Sequence, residues 1–233
     1  MSAIFKREFK AFFATPIGYI VLAAFFFYSG WWFSMIYAAG MPEVEAVVMT
    51  LSTPIIFVMP LITMRLMSDD RRMKTDQALL TAPVSLYSIV LGKFFAALSV
   101  FALGLSPTLI FEVIIMSKIE VNVLSYLYAL LGALLLGAAL IAVGMFISSL
   151  TESAVVSAIL TYVLNILLLY AAGLASMIPV EWIAKAIEKM AFINAFENFG
   201  SSVFSIPDVI YFISISAAFL FLCVRSREKR RWS

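Results

Sequence analysis

The residues best suited to chemistry lie in one charged stretch, residues 64–93, of a chain that is otherwise largely apolar. Two adjacent acids, Asp69 and Asp70, are surrounded there by basic side chains, which are Arg65, Arg71, Arg72 and Lys74. Because acids in such surroundings pair with the neighbouring cations, the stretch suits charged contacts better than acid–base catalysis. Its charged part passes into an apolar part that ends at Pro83. This pattern is typical of a helix at the membrane surface with one face toward a soluble partner.

The residue types exclude most enzymatic chemistry. The chain has no histidine and a single cysteine, Cys223, so it lacks the commonest general base and metal ligand. Gly92 and Lys93 are followed by phenylalanine and do not belong to a phosphate-binding loop. The motifs of serine hydrolases and zinc proteases are absent as well. We therefore predict no catalytic residue, no metal site and no cofactor in this chain.

Composition indicates an integral membrane protein. Hydrophobic residues make up 64% of the chain and charged residues 13%, whereas a soluble domain carries about 25% charged residues. The mean hydropathy is +1.05. The bilayer is therefore the expected surrounding, and the net charge of +2 does not indicate a nucleic-acid partner.

Apolar runs predict an all-α membrane protein in a single transmembrane domain, residues 1–233. About 20 apolar residues cross a bilayer as a helix, and six runs meet this length: 16–39, 47–67, 88–116, 124–150, 154–177 and 207–224. Pro54 and Pro60 are expected to kink the second run. Residues 1–15 have apolar and basic residues on opposite sides of a helix, which predicts an interfacial helix.

The placement of lysine and arginine predicts the orientation. With both termini inside, 13 basic residues face the inner side and 3 the outer side. The excess of positive charge marks the cytoplasmic side. We therefore expect a multi-pass protein of the cell inner (plasma) membrane with both termini in the cytoplasm.

Two predicted spans carry polar or small residues along one side. Ser153, Ser157, Thr161 and Asn165 recur every four residues in the fifth span, so they share one helix face. This face either lines a translocation pathway or forms hydrogen bonds between helices. Span four has small residues at Ala133, Gly137, Gly144 and Ser148, which favour close packing within the subunit.

Acidic residues mark the predicted outer side. Glu112 lies inside an apolar run near the outer end of span three, and an acid in such a place is a candidate functional residue. It is also close enough to the edge to reach lipid headgroups or Lys118. Residues 178–206 are expected to form two short re-entrant helices on the outer leaflet, and Glu197 there is flanked by asparagines.

The charged stretch resembles a known family of membrane proteins. The runs RLMSDDRR (65–72), TDQALLTAPV (75–84) and VLGKF (90–94), with FENFG (196–200), DVIYF (208–212) and RRW (230–232), are similar to permeases of type 2 ABC exporters. The gliding-motility-associated subgroup is the most similar. Lys74 and Gln77 depart from the glycine and glutamate usual there, which indicates a less sharp turn and an amide in place of one charge contact.

The resemblance implies a dimer of permeases, each associated with a cytoplasmic ATPase that binds ATP and magnesium. The second permease is either the same chain or a different one. The resemblance also implies that a coupling helix between spans two and three receives the motion of the ATPase. The residues it implies for this contact are Asp69, Asp70, Arg71, Arg72, Thr75 and Gln77. It places Ser157, Thr161 and Asn165 on the pathway, and Glu181 and Glu197, with Glu112 as a further candidate, in an outer gate.

Two other functions are compatible with parts of this pattern. A membrane scaffold that recruits cytoplasmic proteins would need the surface helix but no polar face on span five. An ion-driven transporter is disfavoured because Glu112 is nearly alone among buried ionisable groups.

Overall fold

The computed structural model describes residues 1–40, 43–72, 85–175, 177, 180–189, 191–200 and 204–231, and every regular element in these ranges is an α-helix. The helices are α1 (Ser2–Ala14), α2 (Pro16–Ala38), α3 (Val44–Thr50), α4 (Ser52–Thr63), α5 (Ser68–Arg72), α6 (Leu86–Met116), α7 (Val123–Leu150), α8 (Ala154–Leu169), α9 (Ala171–Ala175), α10 (Glu181–Lys189), α11 (Phe192–Gly200) and α12 (Ile206–Arg231). The all-α prediction is therefore confirmed for these ranges.

Helix α7 is the centre of the bundle. It packs against α12, α6, α4, α3, α11 and α8, and its small residues permit this crowding. A Cβ atom added at Gly137 would lie 2.1 Å from the ring of Phe101, and one at Gly144 would lie 2.3 Å from Oγ1 of Thr63. Ala133 and Ser148 are also buried, so the small residues predicted for close packing are enclosed within this chain.

The second predicted span is bent. Helices α3 and α4 meet at Leu51, and the chain direction changes there by 48°. Pro54 has no N–H to donate to the carbonyl of Thr50, so the helix is weakened at this point. Pro60 lies inside α4 without interrupting it. A bend thus lies next to Pro54, as predicted, whereas the helix is not broken at Pro60.

Four helices, α2, α6, α7 and α12, are long and apolar enough to cross a membrane, and the bent pair makes a fifth candidate. The predicted span 154–177 is divided at Tyr170 into α8 and α9. With 16 residues, α8 is shorter than the roughly 20 residues that cross hydrocarbon. A count of six spans therefore stays a prediction.

Short helices occupy both predicted surface regions. Helix α1 packs against α6 and α2, and Thr15 is extended before Pro16 begins α2. In the segment 178–206 the structure has two short helices, α10 and α11, and α11 packs against α7 through Phe199. Their position in a bilayer, like that of α1, stays a prediction.

Candidate functional site

The charged segment that sequence analysis singles out begins as a turn fixed by Ser148. Its hydroxyl oxygen accepts hydrogen bonds from the backbone N–H groups of Met67 (3.2 Å) and Ser68 (3.1 Å) and donates one to the carbonyl of Met64 (3.1 Å). Residues 64–67 form this turn between α4 and α5. One side chain at the end of α7 therefore satisfies two N–H groups at the start of α5 and one carbonyl at the end of α4.

Asp70 lies in a buried group of charges that we call the basal ionic cluster, defined as Glu8, Asp70, Lys93 and Arg227. Nζ of Lys93 lies 3.0 Å from Oδ2 of Asp70 and 3.1 Å from Oε1 of Glu8. Nη2 of Arg227 lies 3.1 Å from the same Oδ2 atom. Two acids and two cations thus neutralise one another.

Burial makes this pairing necessary. The Lys93 side chain is 2% exposed and that of Arg227 is 8% exposed. A charge removed from water in this way costs several kcal/mol unless it is paired and hydrogen-bonded. Lys93 also donates a 2.6 Å hydrogen bond to the carbonyl of Leu66. The cluster joins α5 to α6 and to the two terminal helices, α1 and α12.

Arg71 connects the same segment to the turn between α7 and α8. Its Nη1 donates a 2.8 Å hydrogen bond to the carbonyl of Ser149, and its Nη2 lies 3.6 Å from Oε1 of the exposed Glu152. The Glu152 contact is at the surface and contributes little. The bond to Ser149 is partly buried and therefore holds α5 against the end of α7.

The predicted contact residues fall into three groups. Asp69 is half-buried and Arg72 is exposed, so both can be reached from outside the bundle. Asp70 and Arg71 are engaged within the chain. Thr75 and Gln77 lie outside the described residues, as does the rest of the predicted coupling helix in residues 73–84.

The basal ionic cluster was not predicted from the sequence. One available signal was Lys93, a cation inside an apolar run, because such a charge requires a partner. Glu8, the one acid of a basic N-terminal segment, was a second. Their mutual contact could not be read from spacing, because it depends on how α1, α6 and α12 pack.

The polar face of α8 is enclosed by the bundle. Ser157, Thr161 and Asn165 are fully buried, and α8 packs against α4 and α7. Among the described residues, their hydroxyl and amide groups have no hydrogen-bond partner. Ser153, the first residue of the predicted stripe, instead accepts a 3.5 Å hydrogen bond from the N–H of Val156 as the N-cap of α8. The face therefore holds buried polar groups with unused hydrogen-bonding capacity.

The candidate outer acids differ in exposure. Glu112 is buried near the end of α6, and its Oε1 has no hydrogen-bond partner in the described ranges. Glu181 and Glu197 are exposed on α10 and α11. At 1.5 Å per residue, Glu112 lies about 28 Å along α6 from Lys93, close to the thickness of a hydrocarbon core, about 30 Å.

The described residues contain no group of three side chains that could hold a metal ion.

Comparison with known protein families finds a match for this chain. A family model described as "ABC-2 family transporter protein" matches residues 5–168, more than two thirds of the chain. The matched region runs from α1 into α8 and includes Glu8, Asp70 and Lys93. No individual curated protein matches the chain.

Proposed function

Because the chain belongs to the ABC-2 family of transporter proteins, we propose that it is the membrane-spanning permease subunit of an ATP-driven exporter. A multi-pass membrane protein of this family has no ATPase site of its own, and the sequence contains no phosphate-binding loop. ATP and magnesium would therefore be bound by a separate cytoplasmic ATPase. A second permease, the same chain or another, would complete the transporter. The gliding-motility-associated subgroup belongs to the same proposal.

One observation carries this proposal: segment 68–72 is connected to the bundle at two separate points. Asp70 connects it to α6 and α12 through Lys93 and Arg227. Arg71 connects it to the end of α7, next to the α7–α8 turn, through the Ser149 carbonyl. A force applied to this segment would therefore reach both the terminal helices and α8.

On this proposal the ATPase binds the outward-facing part of the segment. Asp69 and Arg72 supply charges that a soluble partner can reach, and Thr75 and Gln77 extend the contact. Asp70 and Arg71 act as positioning residues, because their partners lie within this chain. The orientation that follows has both termini in the cytoplasm of a cell with the chain in its plasma membrane.

The pathway is proposed to lie along α8. The hydroxyl and amide groups of Ser157, Thr161 and Asn165 are buried and have no hydrogen-bond partner in the part of the chain that the structure describes. They would line a hydrated path when α8 separates from α4 and α7. Glu112, Glu181 and Glu197 are proposed to form an outer gate, through which substrate leaves the cell.

Reversing the exposed charge tests the ATPase contact. The chain is expressed with its ATPase, and Arg72→Glu is compared with Lys10→Glu, which reverses an exposed charge on α1. We expect Arg72→Glu to weaken ATPase binding about tenfold, equivalent to about 1.4 kcal/mol, and to remove the effect of the permease on ATP hydrolysis. Unchanged binding and unchanged coupling in Arg72→Glu, with both variants intact, would contradict the proposed contact.

A further inference from the structure

A cavity of about 330 Å³ opens beside the basal ionic cluster. It lies between α1, the start of α2, α4 and the segment that leads into α5. Its volume is within the range of ligand pockets, about 300–1,000 Å³. Of the functions proposed above, only the ATPase coupling involves residues of this lining, Asp69 and Asp70, and none of them assigns a ligand to the cavity itself.

The cavity has an apolar part and a charged part. Phe12, Ile17, Ile62 and Leu66 belong to the apolar part, and six charged side chains stand around the remainder. Such a division suits an amphiphile, whose tail requires an apolar surface while its headgroup requires charged or polar partners. The cavity lies against α1, the helix that we place at the membrane surface.

The charges of the cavity are balanced. Its basic residues are Arg7, Arg65 and Lys93, and its acidic residues are Glu8, Asp69 and Asp70. Four of these six already pair with one another: Lys93 with Glu8 and Asp70, and Arg7 with Glu8. Arg65 and Asp69 make no hydrogen bond or ion pair within the described parts of the chain. One cation and one anion therefore remain available to a ligand.

We propose that this cavity binds a zwitterionic phospholipid with a primary amine in its headgroup, such as phosphatidylethanolamine. The guanidinium of Arg65 binds the phosphate, since arginine matches phosphate geometry. The carboxylate of Asp69 accepts hydrogen bonds from the ammonium group, and an acyl chain lies against Phe12 and Ile62. An anionic lipid would leave Asp69 unpaired beside its negative headgroup. The inference rests on the membrane-surface position that the sequence predicts for α1, and not on transport.

Lipid retention by the purified chain tests this assignment. The chain is delipidated and then incubated with equal amounts of phosphatidylethanolamine, phosphatidylcholine and phosphatidylglycerol. Bound lipid is counted by native mass spectrometry. We expect phosphatidylethanolamine to be retained over the other two, because the quaternary ammonium of phosphatidylcholine has no N–H to donate and phosphatidylglycerol has no cation. Equal retention of the three, or preference for phosphatidylglycerol, would overturn the proposal.

Free phosphoethanolamine in excess separates a lipid site from a site for a soluble phosphate. We expect it to displace little of the bound lipid, since it lacks the acyl chains that the apolar part of the cavity holds. Complete displacement at concentrations equal to that of the lipid would show that the headgroup alone is recognised, and the lipid assignment would be wrong.

Two kinds of variant locate the site. Arg65→Gln and Asp69→Asn each remove one headgroup partner and should lower retention, whereas Lys10→Gln removes an exposed charge of α1 outside the cavity. Ala11→Trp fills the cavity without removing any charge, and Ala14→Trp places the same side chain on α1 outside it. If Ala11→Trp retains as much lipid as Ala14→Trp, the lipid is not bound here. No ATPase is present in these experiments, so their failure would leave the proposed transport function standing.

Discussion

The ammonium nitrogen of Lys93 lies 3.0 Å from Oδ2 of Asp70, and Nη2 of Arg227 lies 3.1 Å from the same oxygen. One carboxylate oxygen thus accepts from the second of the four long helices, α6, and from the last helix, α12. Since Lys93 also contacts Glu8 of α1, the segment that follows α4 is held by both ends of the chain. Movement of α5 cannot leave these helices unaffected unless the ion pairs break.

Replacing Lys93 by methionine should destabilise the protein. The substitution leaves Asp70 and Glu8 buried with fewer partners, and removing one member of a buried ion pair costs about 3–5 kcal/mol. Because Asp70 keeps Arg227 and Glu8 keeps Arg7, we expect the lower end, about 3 kcal/mol. Unfolding of the purified variant in detergent measures the change.

Lys10→Met is the matched control for this variant, because Lys10 is exposed on α1. This substitution should lower the free energy of unfolding by less than about 0.5 kcal/mol. If Lys93→Met were as stable as Lys10→Met, the basal ionic cluster would not hold the helices together. The proposed transmission of motion through Asp70 would then lack its physical basis.

The long helices could be predicted from the sequence because apolar runs of this length have few alternatives to membrane-spanning helices. Their breaks were harder to foresee. Pro54 explains the bend at Leu51, since a missing N–H acts locally. The division of α8 from α9 at Tyr170 was not foreseen, because no proline lies in this part of the chain.

The candidate site could be predicted only in part, and distance along the chain explains the difference. The residues of the charged stretch are consecutive, so their composition was visible directly. Arg227 contacts Asp70 and Glu8 contacts Lys93, and these two residues come from opposite ends of the chain. These contacts are a result of tertiary packing, and local spacing contains no information about them. For the same reason the polar face of α8 was visible as a repeat, whereas its enclosure by α4 and α7 was not.

Ser148→Ala should weaken the turn before α5. Without the hydroxyl, the N–H groups of Met67 and Ser68 lose their acceptor, and a buried unsatisfied donor costs about 1–3 kcal/mol. Ser149→Ala is the matched control, because the Ser149 hydroxyl donates to the carbonyl of Phe146 in its own helix and, among the described residues, bonds no backbone group of the turn before α5. Equal stability of the two variants, measured by unfolding in detergent, would show that Ser148 does not fix this turn.

Gly137→Ala should disturb the packing of α7. The added Cβ would lie 2.1 Å from Cε1 of Phe101, so the ring must move, and overpacking of this kind costs about 1–3 kcal/mol. Gly30→Ala has nothing within 4 Å of the added atom and should stabilise α2 by about 0.5–1 kcal/mol. Opposite shifts in the unfolding midpoint are therefore expected, and a neutral Gly137→Ala would contradict the close approach of α6 and α7.

The variant Thr161→Val/Asn165→Leu separates transport from a scaffold role. Both side chains are buried and have no hydrogen-bond partner among the residues that the structure describes, so replacing them by apolar groups of similar size should leave stability unchanged or raise it. On the proposed function, transport falls because the path loses polar groups. Val163→Leu changes the exposed side of α8 and serves as the control. Full transport by the stable double variant would exclude a pathway along this face and favour the scaffold.

The proposed orientation can be tested by cysteine labelling. The chain has one cysteine, Cys223, and because it is fully buried it should contribute little background. Arg72→Cys places a thiol on the charged segment, and Met177→Cys places one at a residue that is 80% exposed beyond α9. We expect a membrane-impermeant maleimide added to intact cells to label Met177→Cys but not Arg72→Cys.

Permeabilised cells provide the control, since both thiols should then react at similar rates and show that each is accessible in the folded protein. The unsubstituted chain should remain unlabelled in both conditions, because burial keeps the Cys223 thiol from the reagent. Labelling of Arg72→Cys from outside intact cells would place the charged segment on the outer surface. A cytoplasmic ATPase could not reach it there, so this single result would overturn the proposed coupling, whereas the ion pairs of Lys93 and Arg227 would be unaffected.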